Sequence, residues 1–142
     1  MPLSSSPNIL LVEDSEDDAF FFRWTLQKSG VRHELTHVAD GAAALDFLRS
    51  VQARAKTRPD IVFLDLKLPS YSGFEILEWI RQQAWEQPLH VIVLSGSEHA
   101  TDVTRAQSLG AAGYCVKPIS AEQLRDRLNG LSPGVPPDGH GG

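Results

Sequence analysis

Three unbroken runs of apolar residues, rich in β-branched side chains, constrain the fold of this chain more than any other feature. They are Ile9–Val12, Ile61–Leu64 and Val91–Leu94. A strand that is apolar at every position must be covered on both faces, which is the situation of strands in parallel sheets. Two weaker candidates, Glu34–Val38 and Tyr114–Val116, are less uniformly apolar, and we expect them nearer the edges of the sheet.

Segments with helical spacing of apolar residues separate these runs. Ser72 and Ser120 each precede such a segment and are followed at the capping-box spacing by Glu75 and Gln123. Asp40 is placed to cap a further helix. Strand and helix therefore alternate along the chain, and because crossovers between parallel strands are right-handed, the pattern predicts a doubly wound α/β sheet with helices on both faces. The expected strand order is the flavodoxin-like 2-1-3-4-5.

The chain of 142 residues has the length of one domain. We expect that domain over residues 8–130, with a short N-terminal tail at 1–7 and a flexible tail rich in Pro and Gly at 131–142. Its apolar runs are far shorter than the roughly 20 residues that a membrane span requires. Because the 24 residues after Pro118 are too few for a DNA-binding or catalytic output domain, we expect a single-domain protein.

The net charge and the cysteine content limit the kinds of partner and the cellular compartment that we expect for this chain. The net charge of −5 argues against a nucleic-acid partner. Cys115 is the single cysteine, which excludes an internal disulfide, and the sequence has no export signal. We therefore expect a cytoplasmic protein.

Polar side chains follow the predicted strands at their carboxyl ends. Glu13 and Asp14 follow the first strand, Asp65 the third, Ser95 the fourth and Lys117 the fifth. Ligands of doubly wound sheets bind at this edge, where the strand order reverses. Because two carboxylates about 4 Å apart repel by about 4 kcal/mol at an effective dielectric of 20, such a cluster needs a cation. Oxygen ligands without histidine or thiol favour Mg²⁺.

These motifs in this order resemble the receiver domain of bacterial two-component response regulators, over about residues 8–130. Within that family the chain is most similar to single-domain regulators associated with phytochrome-type sensor histidine kinases, because of the sequence around Ala44–Arg49 and the lengthened stretch Ser50–Arg58. The segments that carry the family resemblance are Val12–Ser15, Leu64–Pro69, Gly73, Val93–Gly96 and Tyr114–Pro118.

The resemblance implies a magnesium-dependent phosphoacceptor at Asp65, which takes a phosphoryl group from a kinase phosphohistidine. Asp14 and Asp65 would bind Mg²⁺ directly and Glu13 would bind it through a water molecule, and the backbone carbonyl of Lys67 would be a further ligand. The cation at position 67 departs from the smaller or polar residues frequent in the family, and we hypothesise that it changes the lifetime of the phosphorylated form.

The resemblance also implies a switch. Lys117, expected to precede a cis peptide bond to Pro118, would contact a phosphoryl oxygen. Ser95 would turn its hydroxyl group toward the phosphoryl group, and Tyr114 would move with it between exposed and buried positions. For Tyr114, an ordinary edge-strand aromatic remains the alternative.

Protein partners follow from the same reasoning. The phosphoryl donor would be a sensor histidine kinase or a histidine phosphotransfer protein, and the signal would pass by contact to a downstream protein or to a second copy of the chain. Phe20 and Trp24, four residues apart on the first helix, are expected to form an exposed docking patch for the donor; the alternative is that a neighbouring loop shelters Phe20. Neither a nucleic acid nor a membrane is expected as a partner.

Three other readings remain as alternatives. A haloacid-dehalogenase-type phosphatase also uses an aspartate nucleophile, but it needs a second aspartate at the position of Lys67. A flavin-binding flavodoxin-like module would need a phosphate-binding loop where this chain has the acidic segment Ser15–Asp18. A receiver-shaped interaction module that is never phosphorylated would usually lack part of the residue set found here.

Overall fold

The computed structural model describes residues 6–85, 87–97 and 99–131 of the chain. Most of both predicted tails, residues 1–7 and 131–142, therefore lies outside the described residues. No helix within these ranges is long and apolar enough to cross a membrane. The elements, in chain order, are β1 Asn8–Val12, α1 Glu16–Ser29, β2 Glu34–Val38, α2 Gly41–Gln52, β3 Ile61–Asp65, α3 Gly73–Gln82, β4 Val91–Ser95, α4 Ala100–Ser108, β5 Gly113–Val116 and α5 Ala121–Asn129.

The strands form one parallel sheet in the order β2-β1-β3-β4-β5. This confirms the predicted topology, with the two weaker strand candidates at the edges. In the register of the sheet, Val12 pairs with Leu64 and Asp65 pairs with Leu94. The carboxyl ends of the three central strands consequently lie side by side.

Helices cover both faces of the sheet, which explains why the central strands are apolar at every position. On one face Leu11 and Phe63 pack with residues of α1 and α5. On the other face Val12 and Leu64 pack with residues of α2, α3 and α4. Successive residues of a strand point to opposite faces, so both layers of helices need apolar side chains beneath them.

The predicted helix starts are confirmed by the hydrogen bonds at their caps. The side chain of Asp40 accepts from the backbone of α2, and Ser72 and Ser120 both form complete capping boxes. The end of α4 is set by the backbone conformation of a glycine. The helix ends at Ser108 because Gly110 adopts a left-handed conformation with φ of 97°.

Candidate functional site

Three carboxylates gather at the carboxyl edge of the sheet. Glu13 and Asp14 follow β1, Asp65 is the last residue of β3, and one oxygen from each lies within 4.8 Å of the others. Glu13 and Asp65 are buried whereas Asp14 is exposed. This donor set fits Mg²⁺, because the ligands are all oxygen atoms and the exposed side leaves room for the water molecules that Mg²⁺ retains.

Lys117 reaches into the same cluster from the end of β5. Its Nζ atom lies 2.7 Å from Oε1 of Glu13, 2.9 Å from Oδ2 of Asp18 and 3.1 Å from Oδ2 of Asp65. The backbone N–H of Lys117 donates to the carbonyl oxygen of Ser95, which ties the end of β5 to β4. The Lys117–Pro118 peptide bond is cis, as the family resemblance implies.

The electrostatics of the cluster follow from burial. Burial raises the pKa of the Glu13 carboxyl group to about 7; the charge of Asp65 acts in the same direction, and the hydrogen bond from Lys117 opposes it. Burial alone would lower the pKa of Lys117, but its hydrogen bonds to Glu13 and Asp18 outweigh that effect and hold the pKa above its usual range. The ammonium group therefore stays charged, and by itself it does not balance the acids around it.

Backbone groups hold each buried carboxylate in place. The N–H of Ser15 donates to Oε2 of Glu13 over 3.1 Å, and the N–H of Lys67 donates to Oδ1 of Asp65 over 3.2 Å. In each carboxylate the other oxygen faces Lys117. The side chain of Lys67 is exposed. Asp65 thus presents a fixed carboxylate with one oxygen on a backbone amide and the other on an ammonium group.

Gly73 allows the chain to fold back closely behind Asp65. Its N–H donates to the carbonyl oxygen of Leu66 over 2.9 Å. A Cβ atom at position 73 would overlap the backbone carbonyl oxygen of Asp65 and crowd Cα of Leu66. The start of α3 can therefore pack against the end of β3 only without a side chain at this position.

Ser95 and Tyr114 meet at the backbone of Ser97, in the loop between β4 and α4. The buried hydroxyl group of Ser95 accepts from the N–H of Ser97 over 3.1 Å. The hydroxyl group of Tyr114 donates to the carbonyl oxygen of Ser97 over 2.9 Å, and the Tyr114 ring is partly buried. Both side chains proposed for the switch are therefore bonded to one residue of one loop.

The exposed face of α1 carries aromatic side chains. Phe20 is 68% exposed and Trp24 is 48% exposed, so the exposed arrangement is the one observed. The ring partner of Trp24 is Phe21, with centroids 5.8 Å apart, and Nζ of Lys28 lies 4.9 Å from the Trp24 ring centroid. Phe21, which was not predicted to be part of this patch, is itself 41% exposed.

Two contacts of the site escaped the sequence analysis. Asp18, in the first turn of α1, forms an ion pair with Lys117. His37, in β2, donates from Nε2–H to the carbonyl oxygen of Glu13 over 2.7 Å, and its Nδ1 accepts from Arg23. The sequence does contain a signal for Asp18, because a cap at Ser15 starts α1 at the carboxyl edge of the sheet. Asp18 then lies in the first turn of the helix, close to that edge.

The geometry agrees with what comparison with known proteins finds. Residues 9–129 match the family model described as the response regulator receiver domain. The response regulator Rcp1 of Synechocystis sp. is 34% identical over 124 residues, which cover 87% of this chain and 84% of Rcp1.

Comparison with solved structures also finds response regulators. The bacteriophytochrome response regulator RtBRR superposes with a TM-score of 0.76 at 34% identity, covering 92% of this chain and 79% of RtBRR. The phosphorylated cyanobacterial phytochrome response regulator RcpA has a TM-score of 0.73 at 34% identity, covering 89% of this chain and 91% of RcpA. A Mn²⁺-bound form of Rcp1 has a TM-score of 0.72 at 32% identity, covering 92% of this chain and 97% of Rcp1.

Proposed function

Because this chain belongs to the response regulator receiver domain family, we propose that it is a phosphoacceptor switch. In this proposal Asp65 takes a phosphoryl group from a histidine kinase or a histidine phosphotransfer protein in a Mg²⁺-dependent reaction. The observation that carries it is the placement of the Asp65 carboxylate 3.1 Å from Nζ of Lys117 inside an acidic cluster. The similarity to phytochrome response regulators favours a phytochrome-type kinase as the donor.

In the transfer step a carboxylate oxygen of Asp65 attacks the phosphorus atom of the phosphohistidine. The new O–P bond forms as the P–N bond breaks, and the electron pair of the broken bond stays on the imidazole nitrogen. Negative charge is spread over the three peripheral phosphoryl oxygens during this step. Lys117 would stabilise that charge as a point charge, while the N–H of Lys67 orients the nucleophile.

The residues that would hold Mg²⁺ are Asp14 and Asp65 directly, Glu13 through water, and the backbone carbonyl of Lys67. When bound, the cation would supply the positive charge that the cluster lacks and would neutralise phosphoryl oxygens. Glu13 and Asp65 are already oriented for this by the backbone bonds on their second oxygens.

The Ser97 backbone offers a route from the site to the surface. A rotation of the Ser95 side chain toward a phosphoryl oxygen would move its hydroxyl group away from the N–H of Ser97, from which it now accepts. The same residue carries the hydrogen bond from Tyr114, so the loop before α4 and the Tyr114 ring would move together. We propose that a downstream protein or a second copy of the chain reads this change around Ser95–Tyr114.

The aromatic face of α1 is the docking surface that we propose for the phosphoryl donor. Phe20, Phe21 and Trp24 are all exposed, and the first of the site acids follow β1 immediately before this helix. Exposed aromatic side chains are frequent anchors of protein interfaces. We also propose a cytoplasmic location, with which the single cysteine of the sequence, Cys115, is consistent.

The test is incubation with Mg²⁺ and acetyl phosphate, followed by intact-mass analysis of wild type and Asp65→Asn. We expect the wild type to gain one phosphoryl group and the variant to gain none. Prior removal of Mg²⁺ by a chelator should prevent the gain. Steady hydrolysis of simple phosphate monoesters, which are not phosphoryl donors for a phosphoacceptor switch, would instead support the phosphatase reading. A wild type without any adduct would support the interaction module that is never phosphorylated.

A further inference from the structure

Lys117 has one carboxylate partner that lies outside the cluster proposed to hold the metal. An ammonium group has three N–H donors, and three carboxylates surround that of Lys117. Two of them, on Glu13 and Asp65, belong to the metal cluster. The third, on Asp18, comes from the first turn of α1.

The ammonium group and a divalent cation compete for the same two carboxylates. Nζ of Lys117 lies within hydrogen-bonding distance of Oε1 of Glu13 and Oδ2 of Asp65. A divalent cation bound to these carboxylates would repel the ammonium group. It would also neutralise the negative charge that otherwise balances the ammonium group. Lys117 then needs a partner that the metal does not use, yet it must stay close enough to reach a phosphoryl group on Asp65.

We propose that Asp18 is a positioning residue for Lys117, which retains the ammonium group at the α1 side of the pocket while Glu13 and Asp65 are engaged by a divalent cation. This inference rests on the proposed function, since it presupposes Mg²⁺ at the acidic cluster. Because a Lys117 held by Asp18 competes less with the metal for Glu13 and Asp65, Asp18 strengthens Mg²⁺ binding without being a metal ligand.

The surroundings of Asp18 suit this role. Its backbone N–H donates to the hydroxyl group of Ser15 over 3.2 Å, which fixes the first turn of α1. A small cavity beside the ion pair is lined by Asp18 and Lys117 together with apolar walls from Phe22, Leu94 and Ile119. Apolar walls weaken solvent screening on that side of the pair. The Asp18 side chain is 47% exposed, so the effect of the pair is expected to be moderate.

The primary test is Mg²⁺ affinity, measured by calorimetric titration in the absence of any phosphodonor. Asp17 provides a matched control, because it is an exposed acid in the same turn and is not among the described ion-pair partners of Lys117. We expect Asp18→Asn to weaken Mg²⁺ binding about two- to fivefold and Asp17→Asn to weaken it less than about twofold, in the range of exposed ion pairs. Asp18→Glu, which keeps the charge, should restore most of the affinity.

A double-mutant comparison separates positioning from simple charge. In a Lys117→Met background, the effect of Asp18→Asn should fall to that of Asp17→Asn, because there is no ammonium group left to retain. Equal effects of the two aspartate variants in the wild-type background would overturn the inference, as would an Asp18→Asn effect that persists fully without Lys117. Neither result bears on phosphorylation of Asp65, whose failure by mass analysis would overturn the proposed function alone.

Discussion

Nζ of Lys117 and Oδ2 of Asp65 lie 3.1 Å apart although 52 positions separate the two residues in the chain. Their strands, β5 and β3, are not neighbours, because β4 lies between them. The lysine therefore reaches past the end of β4, where its own N–H bonds to the carbonyl oxygen of Ser95. Asp65, Ser95 and Lys117 thus lie together at the carboxyl ends of β3, β4 and β5. The distance between the carboxylate and the ammonium group therefore depends on the register of these strands.

The raised pKa of Glu13 makes Mg²⁺ binding dependent on pH near neutrality. With a pKa of about 7, the carboxyl group is largely protonated at lower pH, and a proton must leave before the group can serve the metal. Raising the pH from about 6 to about 8 should therefore strengthen Mg²⁺ binding by up to about tenfold. Glu13→Gln should bind Mg²⁺ more weakly and without this pH dependence, as measured by titration calorimetry. An unchanged pH dependence in the variant would show that another group titrates.

The close packing behind Asp65 predicts that an alanine substitution destabilises the protein at Gly73 and has little effect on its stability at Gly96. Gly73→Ala should lower the free energy of unfolding by about 1–3 kcal/mol, because its Cβ atom would overlap the backbone of β3. Gly96→Ala is the matched control: nothing lies within 4 Å of a Cβ atom there, and we expect a change within about 0.5 kcal/mol. Urea unfolding of both variants measures the difference, and equal stabilities would contradict the packing argument.

Much of the fold was predictable because it depends on local patterns. The runs Ile61–Leu64 and Val91–Leu94 had to be central strands, since no edge strand buries every side chain. The caps at Ser72 and Ser120 were readable because both partners of each capping box lie within one turn. The residues at the carboxyl ends of the strands then followed from the topology of the parallel sheet.

The contacts that the sequence did not reveal depend on side chains brought together by the tertiary fold. Asp17 and Asp18 are equivalent as helix-start acids, and only the position of β5 makes Asp18 the partner of Lys117. His37 contacts the Glu13 carbonyl because β2 pairs with β1 in one particular register. The hydrogen bond from Tyr114 to Ser97 likewise joins β5 to a loop that no local pattern places.

The aromatic face of α1 predicts a selective loss of transfer from the kinase. Trp24→Ala should slow phosphotransfer from a phytochrome-type histidine kinase about tenfold or more, because a large exposed aromatic side chain at an interface centre is often an anchor. Phosphorylation by acetyl phosphate, which needs no docking, should be unchanged. Radiolabel transfer measures the first rate and intact mass the second. Equal transfer to wild type and variant would remove the support for this docking surface.

The cation at position 67 predicts a change in the lifetime of the phosphorylated protein. Lys67 lies two residues after Asp65, and its backbone N–H donates to the Asp65 carboxylate. Its side chain is exposed beside the site, where the ammonium group can approach a phosphoryl oxygen or obstruct a hydrolytic water molecule. We expect Lys67→Asn to shorten the lifetime severalfold. The control is Lys56→Asn, at another exposed lysine, in the loop between α2 and β3. Decay of the phosphoryl adduct is followed by mass after the donor is removed, and identical decay in all three proteins would refute the hypothesis.

The central claim is that the acceptor is the carboxylate of Asp65. The most direct measurement is borohydride reduction of the protein after treatment with acetyl phosphate and Mg²⁺, followed by peptide mass sequencing. An acyl phosphate is reduced to an alcohol under these conditions, whereas a free carboxylate is not. We predict homoserine at position 65, with Asp14 and Asp18 unchanged. Homoserine at another acidic position, or an adduct that resists reduction, would contradict the claim.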